Sequence, residues 1–371
     1  MPSPARTVAV CRWTSCSLPL LYRAGGRPGR QGEPAAAGRS GVAHRPALQE
    51  VHAGVDDDMI AFGPVPSRRL GRSLGINNIP PKICTYSCVY CQLGRTIRMQ
   101  VKRRAFYEPE AVLQDVQNKV ERAREVGEAI DYLAFVPDGE PTLEANLGRE
   151  IELLKQLGLP IAVITNSSLV WRQDVREALM GADWVSLKVD AVEETLWRRV
   201  DRPHGSLELA SILEGAVAFA RAYEGKLVTE TMLVAGVNDS EQALGEVADF
   251  LARLQPAAAY LSIPTRPPAE EWVRAPDEAA LNRAYQILGE RVEQVEYLIG
   301  YEGDAFAFTG DVEQDLLSIT SVHPMREEAV SAFLARAGAE WAVVHRLVAQ
   351  DQLVEAEYGA HKFYLRKLGS A

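Results

Sequence analysis

The sequence predicts an α/β protein in which the strands of a parallel sheet alternate with amphipathic helices, followed by a small C-terminal unit of mixed structure. Three observations support this reading. Between residues 73 and 300, short runs rich in β-branched and aromatic residues alternate with stretches whose apolar residues recur three and four apart, the signature of strand–helix units around a parallel sheet. After about residue 310 that alternation stops. The chain of 371 residues is 47% hydrophobic and 24% charged, enough apolar material to bury one large core or two smaller ones without disulfides.

Residues 1–58 are rich in Arg, Gly, Pro and Ala, contain no Lys and show no periodicity. They read as a disordered tail, either an Arg-rich leader of the transit-peptide kind or an extension created by a start placed ahead of Met59. Cys11 and Cys16 lie in this tail and read as incidental. Strands are predicted at 74–77, 132–136, 161–165, 184–189, 227–233, 259–263 and 295–299. Helices are predicted between them at 108–125, 145–157, 173–180, 207–223, 240–254 and 277–288. This order suits a barrel or an open doubly wound sheet. Helices at 311–317, 326–336 and 340–349, then a hairpin of 353–357 and 361–365 around Gly359, suggest a winged helix over 311–371.

A formal net charge of −10 argues against a protein coated in nucleic acid, because such proteins carry a positive footprint. No apolar run approaches the roughly 18 residues that a bilayer span requires. Five cysteines, three of them within eight residues, cannot build a disulfide framework, and clustered thiols in a reducing, cytoplasmic compartment read as ligands.

Cys84, Cys88 and Cys91 have C-x-x-x-C-x-x-C spacing on a loop after the first predicted strand. Three thiolates do not close a tetrahedral zinc site, and the nearest histidine, His52, lies in the tail. A four-iron cubane held by three thiolates keeps one iron open, and an open metal position is where chemistry happens. With Tyr90 just before the last cysteine, this motif resembles that of the radical S-adenosylmethionine (SAM) superfamily. The resemblance implies a partial TIM-type (β/α)6 barrel, open on one side, over residues 59–310. It also implies a 4Fe-4S cluster on the three cysteines and SAM chelated at the open iron. Reductive cleavage of SAM would then give a 5′-deoxyadenosyl radical that takes hydrogen from a substrate.

Asp138-Gly139-Glu140 directly follows the strand at 132–136. It resembles the superfamily's Gly-Gly-Glu segment, which binds the SAM ammonium, with Asp138 in place of the first glycine. A carboxylate at the C-terminal end of a barrel strand faces the mouth, where a cation pairs well with it. Asn166 follows the third of the barrel strands, and Ser186, Lys188 and Asp190 fall on one side of the fourth because a strand's period is two. The resemblance implies that these residues meet the SAM carboxylate and ribose. A mutual Lys188–Asp190 ion pair is an equally ordinary reading.

The stretch from Gly63 to Asn77, together with Gln92, Pro203, Asn238 and residues 262–267, resembles the radical SAM group related to archaeal wyosine-base synthases. The likeness covers nearly all of 59–310 and implies a tRNA or nucleotide substrate. Those relatives bind a second cluster through additional cysteines, and this chain has none to spare outside its tail. Reduction of the cluster implies an electron donor such as flavodoxin or ferredoxin. Two other readings use the same cysteines: an activase that makes a glycyl radical on a partner protein, and an iron-sulfur sensor with winged-helix output.

Between Met59 and Tyr107 there are nine Lys or Arg and no Asp or Glu. These cations suit phosphates, and they equally suit offsetting the anionic thiolates and pairing with acidic helices. The third helix of the tail offers only His345 and Arg346 as basic groups, which is poor for phosphate contact, so docking a protein or capping the substrate is as good a role. His323, at the junction of the two units, reads as a satisfied structural histidine.

Overall fold

The computed structural model describes residues 60–300 and 302–367, so the expectation for 1–58 lies outside the described residues. The strands of the N-terminal part are β1 (Ala61–Ser67), β2 (Gly71–Ile76), β3 (Ile83–Cys84), β4 (Arg98–Met99), β5 (Tyr132–Phe135), β6 (Ile161–Thr165), β7 (Trp184–Lys188), β8 (Lys226–Met232), β9 (Ala258–Ser262) and β10 (Val295–Leu298). The helices are α1 (Pro109–Glu125), α2 (Leu147–Leu154), α3 (Gln173–Leu179), α4 (Glu194–Val200), α5 (Leu209–Ala222), α6 (Glu241–Leu254) and α7 (Glu278–Gly289).

Eight strands form one sheet in the order β1-β2-β5-β6-β7-β8-β9-β10. From β2 onward every neighbouring pair is parallel. Six strand–helix units followed by β10 curl into a half-barrel, the partial TIM-type architecture expected. Inward positions at the N-terminal halves of the strands are filled by Ala134, Ala162, Trp184, Val228, Ala258 and Tyr260, joined by Leu70 and Leu298. Alanines on three strands leave room for the large rings of Trp184 and Tyr260, and this plug closes one end of the half-barrel. Outside the sheet, rows such as Val112, Val116 and Val120 of α1 and Leu244, Val247 and Leu251 of α6 bury the main core, as helices with a single apolar stripe must.

Strand β1 is missing from the sequence expectation. Its Pro64 and Pro66 cannot donate ladder hydrogen bonds, which hides the strand and suits it to its place at the sheet edge. It pairs antiparallel with β2, with Phe62 opposite Gly75. A Cβ on Gly75 would lie 1.9 to 2.4 Å from three atoms of the Phe62 ring, so only glycine lets the ring lie across β2.

The C-terminal unit contains α8 (Val312–Val322), β11 (Met325–Arg326), α9 (Glu327–Ala337), α10 (Ala342–Ala349), β12 (Leu353–Tyr358) and β13 (His361–Arg366). Its three strands form an antiparallel sheet ordered β11-β13-β12. Helix α8 runs five residues past its expected end, because Ile319 and Val322 continue its apolar stripe into a core shared with Phe62 and Val65 of β1. A buried ion pair fixes the unit to the half-barrel: Lys119 Nζ of α1 lies 2.6 Å from Asp315 Oδ1 of α8 and donates to Thr309 Oγ1 at 2.9 Å.

Candidate active site

The loops at the C-terminal ends of the parallel strands, the usual seat of chemistry in barrels of this type, border a cavity of about 310 Å³. The longest of them connects β2 to α1 and carries the cysteines. Cys84, Cys88 and Cys91 are half-buried free thiols, and all three line the cavity. The residues between them hold the loop in place. Val89 packs fully buried among Val200, Val234, Val237 and Val273, and the Tyr86 hydroxyl accepts a hydrogen bond from Trp197 Nε1 at 3.1 Å. Backbone bonds from Val89 N to Val200 O (2.9 Å) and from Gln100 N to Cys84 O (3.1 Å) pin both sides of the loop. The apolar anchors face inward, which leaves the thiols facing the cavity.

Burial pushes the Cys84 thiol up to about 12, with the nearby Glu140 adding to the effect. Cys88 is raised by burial and then by Asp201, to which its Sγ donates at 3.4 Å. Burial also raises Cys91. The thiols are therefore protonated near neutral pH, and iron would have to displace their protons on binding.

The turn at Asp138–Glu140 lies against this loop. A Cβ on Gly139 would fall 1.9 Å from the Ile83 carbonyl oxygen, so glycine is what permits the approach. Glu140 is 1% exposed. Its Oε1 accepts from Thr142 N (3.1 Å), Thr142 Oγ1 (2.5 Å) and Thr165 Oγ1 (2.6 Å), and its Oε2 accepts from Asn166 N at 2.8 Å. The sequence offered Glu140 as a carboxylate for a cation. In the structure both of its oxygens are engaged in joining the ends of β5 and β6. Asn166 continues the chain of contacts, donating from Nδ2 to Thr85 Oγ1 at 2.8 Å and lying 3.5 Å from Cys84 Sγ.

Asp138 behaves differently. Asn77 donates to its Oδ2 at 3.1 Å, but its Oδ1 is buried without a hydrogen-bond partner, and burial pushes the carboxyl up to about 8. A buried acceptor without a donor is rare and costly, and this one belongs to a residue lining the cavity. A bound ammonium group would satisfy it. Three free thiols with no fourth cysteine beside them among the described residues, next to an acceptor lacking its donor, form a set that fits a cluster with an open iron and a cationic amino acid.

On β7, Ser186 and Lys188 line the cavity as expected. Asp190 does not. The strand ends at Lys188, so the period of two no longer applies, and Asp190 lies behind the wall, accepting from the Tyr90 hydroxyl and from Met232 N at 2.7 Å. Tyr90 itself lines the cavity, with Lys188 Nζ 5.0 Å above its ring. Lys188 lies 3.8 Å from Asp190 and 3.2 Å from Glu230, so the ion pair exists, with Glu230 as the closer carboxylate.

Glu230 and Glu302 line the cavity without having been singled out in the sequence. Arg69, Arg266 and Gln92, which also line it, entered the sequence reading only as one of the nine cations of 59–107 and as parts of the segments resembling the wyosine-synthase group. Glu230 had a signal, since a charge that alternates with Val228 and Met232 on the inward face of a parallel strand is too costly to be incidental. The other four converge from distant segments. Among the cations of 59–107, Arg72 pairs with Glu128, Arg95 with Glu270, and Arg103 with Asp174. Arg98, Lys102 and Arg104 stay exposed. His323 is a buried histidine as expected, held neutral as burial and Arg266 push it down to about 3.

A family model described as Radical SAM superfamily matches residues 78–251. A UPF0026 protein of Methanocaldococcus jannaschii is 45% identical over 313 residues, covering 84% of this chain and 97% of that protein. A UPF0026 protein of Helicobacter pylori strain J99 is 36% identical over 211 residues, covering 56% of this chain and 67% of its own length. Among solved structures, a radical SAM methyltransferase from Sphaerobacter thermophilus aligns with a TM-score of 0.46 at 16% identity, over 61% of this chain and 66% of that one. TYW1 with a lysine-pyruvate adduct bound aligns with a TM-score of 0.44 at 19% identity, over 60% and 74% of the two chains.

Proposed function

This chain belongs to the UPF0026 family and carries a radical SAM domain, and from that premise we propose how its cavity divides the work. It is an enzyme of the radical SAM class, whose cofactors are a 4Fe-4S cluster and SAM. When bound, these supply one-electron cleavage of the sulfonium C–S bond, and the protein's part is to bind, orient and shield.

In this reading Cys84, Cys88 and Cys91 hold the cluster. Asp138 Oδ1 and the Gly139 turn receive the SAM ammonium, and Asn166, Ser186 and Lys188 meet its carboxylate and ribose. Tyr90 forms part of the wall behind it. Glu140 acts through others, by locking the ends of β5 and β6 and presenting Asn166 to the cysteine loop. The observation that carries the reading is that three free thiols, Asn166 and the Asp138–Glu140 turn border one cavity.

For the substrate we propose a nucleotide, presented within tRNA. The exposed Arg98, Lys102 and Arg104 follow the cysteine loop with no carboxylate among them and offer phosphate contacts. The order of elements in 312–366, one helix, a short strand, two helices and a hairpin, supports the winged-helix reading of the tail, acting as a cap beside the cavity. A low-potential carrier such as flavodoxin or ferredoxin supplies the electron, and the enzyme works in the cytoplasm.

The test is turnover of anaerobically reconstituted, reduced enzyme with SAM, with and without bulk tRNA. The reading predicts that tRNA accelerates 5′-deoxyadenosine release and that digestion of the tRNA yields a nucleoside of changed mass. Equal release in both arms, with unchanged nucleosides, would contradict the proposed substrate.

A further inference from the structure

We propose that Arg68, Arg69 and Arg266 form an anion subsite that seats the phosphate or carboxylate of the substrate. The proposal rests on the radical SAM reading above and assigns the part of the cavity that the cofactor motifs leave unused. The three guanidiniums come from elements that carry none of those motifs: the turn between β1 and β2, and the segment after β9.

The charge count at this corner does not close. Glu302 is shared by two guanidiniums, lying 3.3 Å from Arg68 Nη2 and 2.5 Å from Arg266 Nη2. The Arg266 guanidinium also meets His323 Nε2 at 2.9 Å, so the imidazole accepts there and contributes no charge. Two positive charges thus face one negative. Arg69 pairs with Glu230, which also serves Lys188 at 3.2 Å; Lys188 has Asp190 as a second carboxylate at 3.8 Å, so the excess rests on Arg68 and Arg266. The side chains of Arg68, Arg69 and Arg266 are only 17 to 24% exposed, so bulk water cannot fully compensate the excess. A partly buried, uncompensated charge is costly. An anion that enters with the substrate removes that cost, and the planar fork of arginine matches phosphate and carboxylate oxygens.

A single side chain sets the subsite in register with the cysteines. Gln92, the residue after Cys91, accepts from Arg266 Nη1 at 2.7 Å and donates to Val322 O at 2.7 Å. Apolar Ile263, Leu298 and Val322 line the same cavity, which gives the body of the ligand a surface to lie on while its anionic end is held.

The experiment measures equilibrium binding of inorganic phosphate to the reconstituted holoenzyme with SAM, by calorimetry and by 31P relaxation. Wild type is expected to bind phosphate, and Arg68→Gln and Arg266→Gln to weaken binding by about tenfold or more, on the scale of a lost charge-assisted fork. Arg266→Lys, which keeps the charge and loses the fork, should fall between, and Arg283→Gln on the exposed face of α7 should bind like wild type. Cluster absorbance and melting temperature verify that each variant is folded. Acetate that displaces phosphate at comparable concentration would identify the natural anion as a carboxylate, and resistance to acetate would identify it as a phosphate. Phosphate affinity that is absent, or that ignores Arg68 and Arg266, overturns the subsite even where SAM is cleaved. Failure to cleave SAM in a protein that binds phosphate through these arginines overturns the reaction instead.

Discussion

The two parts of the cavity lining satisfy their polar atoms in opposite ways. Around the cysteine loop and the ends of β5 and β6, polar groups are fixed by hydrogen bonds to backbone and to each other, and Glu140 alone accepts four. Around the β1–β2 turn, β8 and the C-terminal unit, charged groups share partners: Arg68 and Arg266 share Glu302, and Arg69 and Lys188 share Glu230. The first arrangement is rigid before any ligand arrives, which suits cofactors held in one geometry. The second keeps donors and net charge in reserve, which suits a ligand that enters and leaves each cycle.

The largest expected effect lies under the second part. Lys119→Met leaves Asp315 buried without its cation, and breaking a buried pair costs about 3–5 kcal/mol. Urea unfolding should show the loss, and limited proteolysis should cut first within residues 302–367. Cleavage spread evenly over the chain would mean that the pair does not tie the two units together.

The first part is tested by Glu140→Ala, which strands the Thr142 and Thr165 hydroxyls and the Asn166 amide. The expected loss is about 3 kcal/mol, since several bonds to one carboxylate are lost together, with a lower iron content after reconstitution. Full stability and full iron loading would show that the carboxylate does not organise these strand ends.

A smaller effect separates scaffold from site. Glu150 is fully buried on α2, accepting from Asn78 Nδ2 at 2.9 Å, while its Oε1 and Asn78 Oδ1 both lack partners. Burial lifts its carboxyl from 4.5 to about 8, so between those values the folded state holds a proton that the unfolded state has lost. Its contribution to stability is therefore full at low pH and declines as pH rises toward 8. Glu150→Gln removes this dependence and offers an amide donor to Asn78. The variant should match wild type below pH 4.5 and gain on it progressively as pH rises through 8, read as the difference between their urea midpoints. Parallel pH profiles would contradict the assignment.

Much of the first part was legible in the sequence because its signals are local. Cysteine spacing, a Gly-Glu turn directly after a strand and alternation along β7 each fit within ten residues. The limits were local too: the period of two carried Asp190 onto the cavity face because the end of β7 at Lys188 is not written in the residue pattern. The second part was largely hidden. Two prolines mask β1, and Arg69, Glu230, Arg266 and Glu302 become neighbours only when the sheet curls and the C-terminal unit packs on β1. Arg69 stood out only within the acid-free run of cations over 59–107 and Arg266 only within the 262–267 segment, while Glu230, an inward charge in a parallel strand, carried a warning that was not used.

The central claim is that Cys84, Cys88 and Cys91 hold the cluster against which SAM is cleaved. The most direct test reconstitutes the full chain anaerobically with iron and sulfide, reduces it with dithionite in the presence of SAM, and quantifies 5′-deoxyadenosine by chromatography. The account predicts product from the wild-type chain and background levels from Cys88→Ala. No product from a wild-type chain with a verified reducible cluster, or undiminished product from Cys88→Ala, would contradict it.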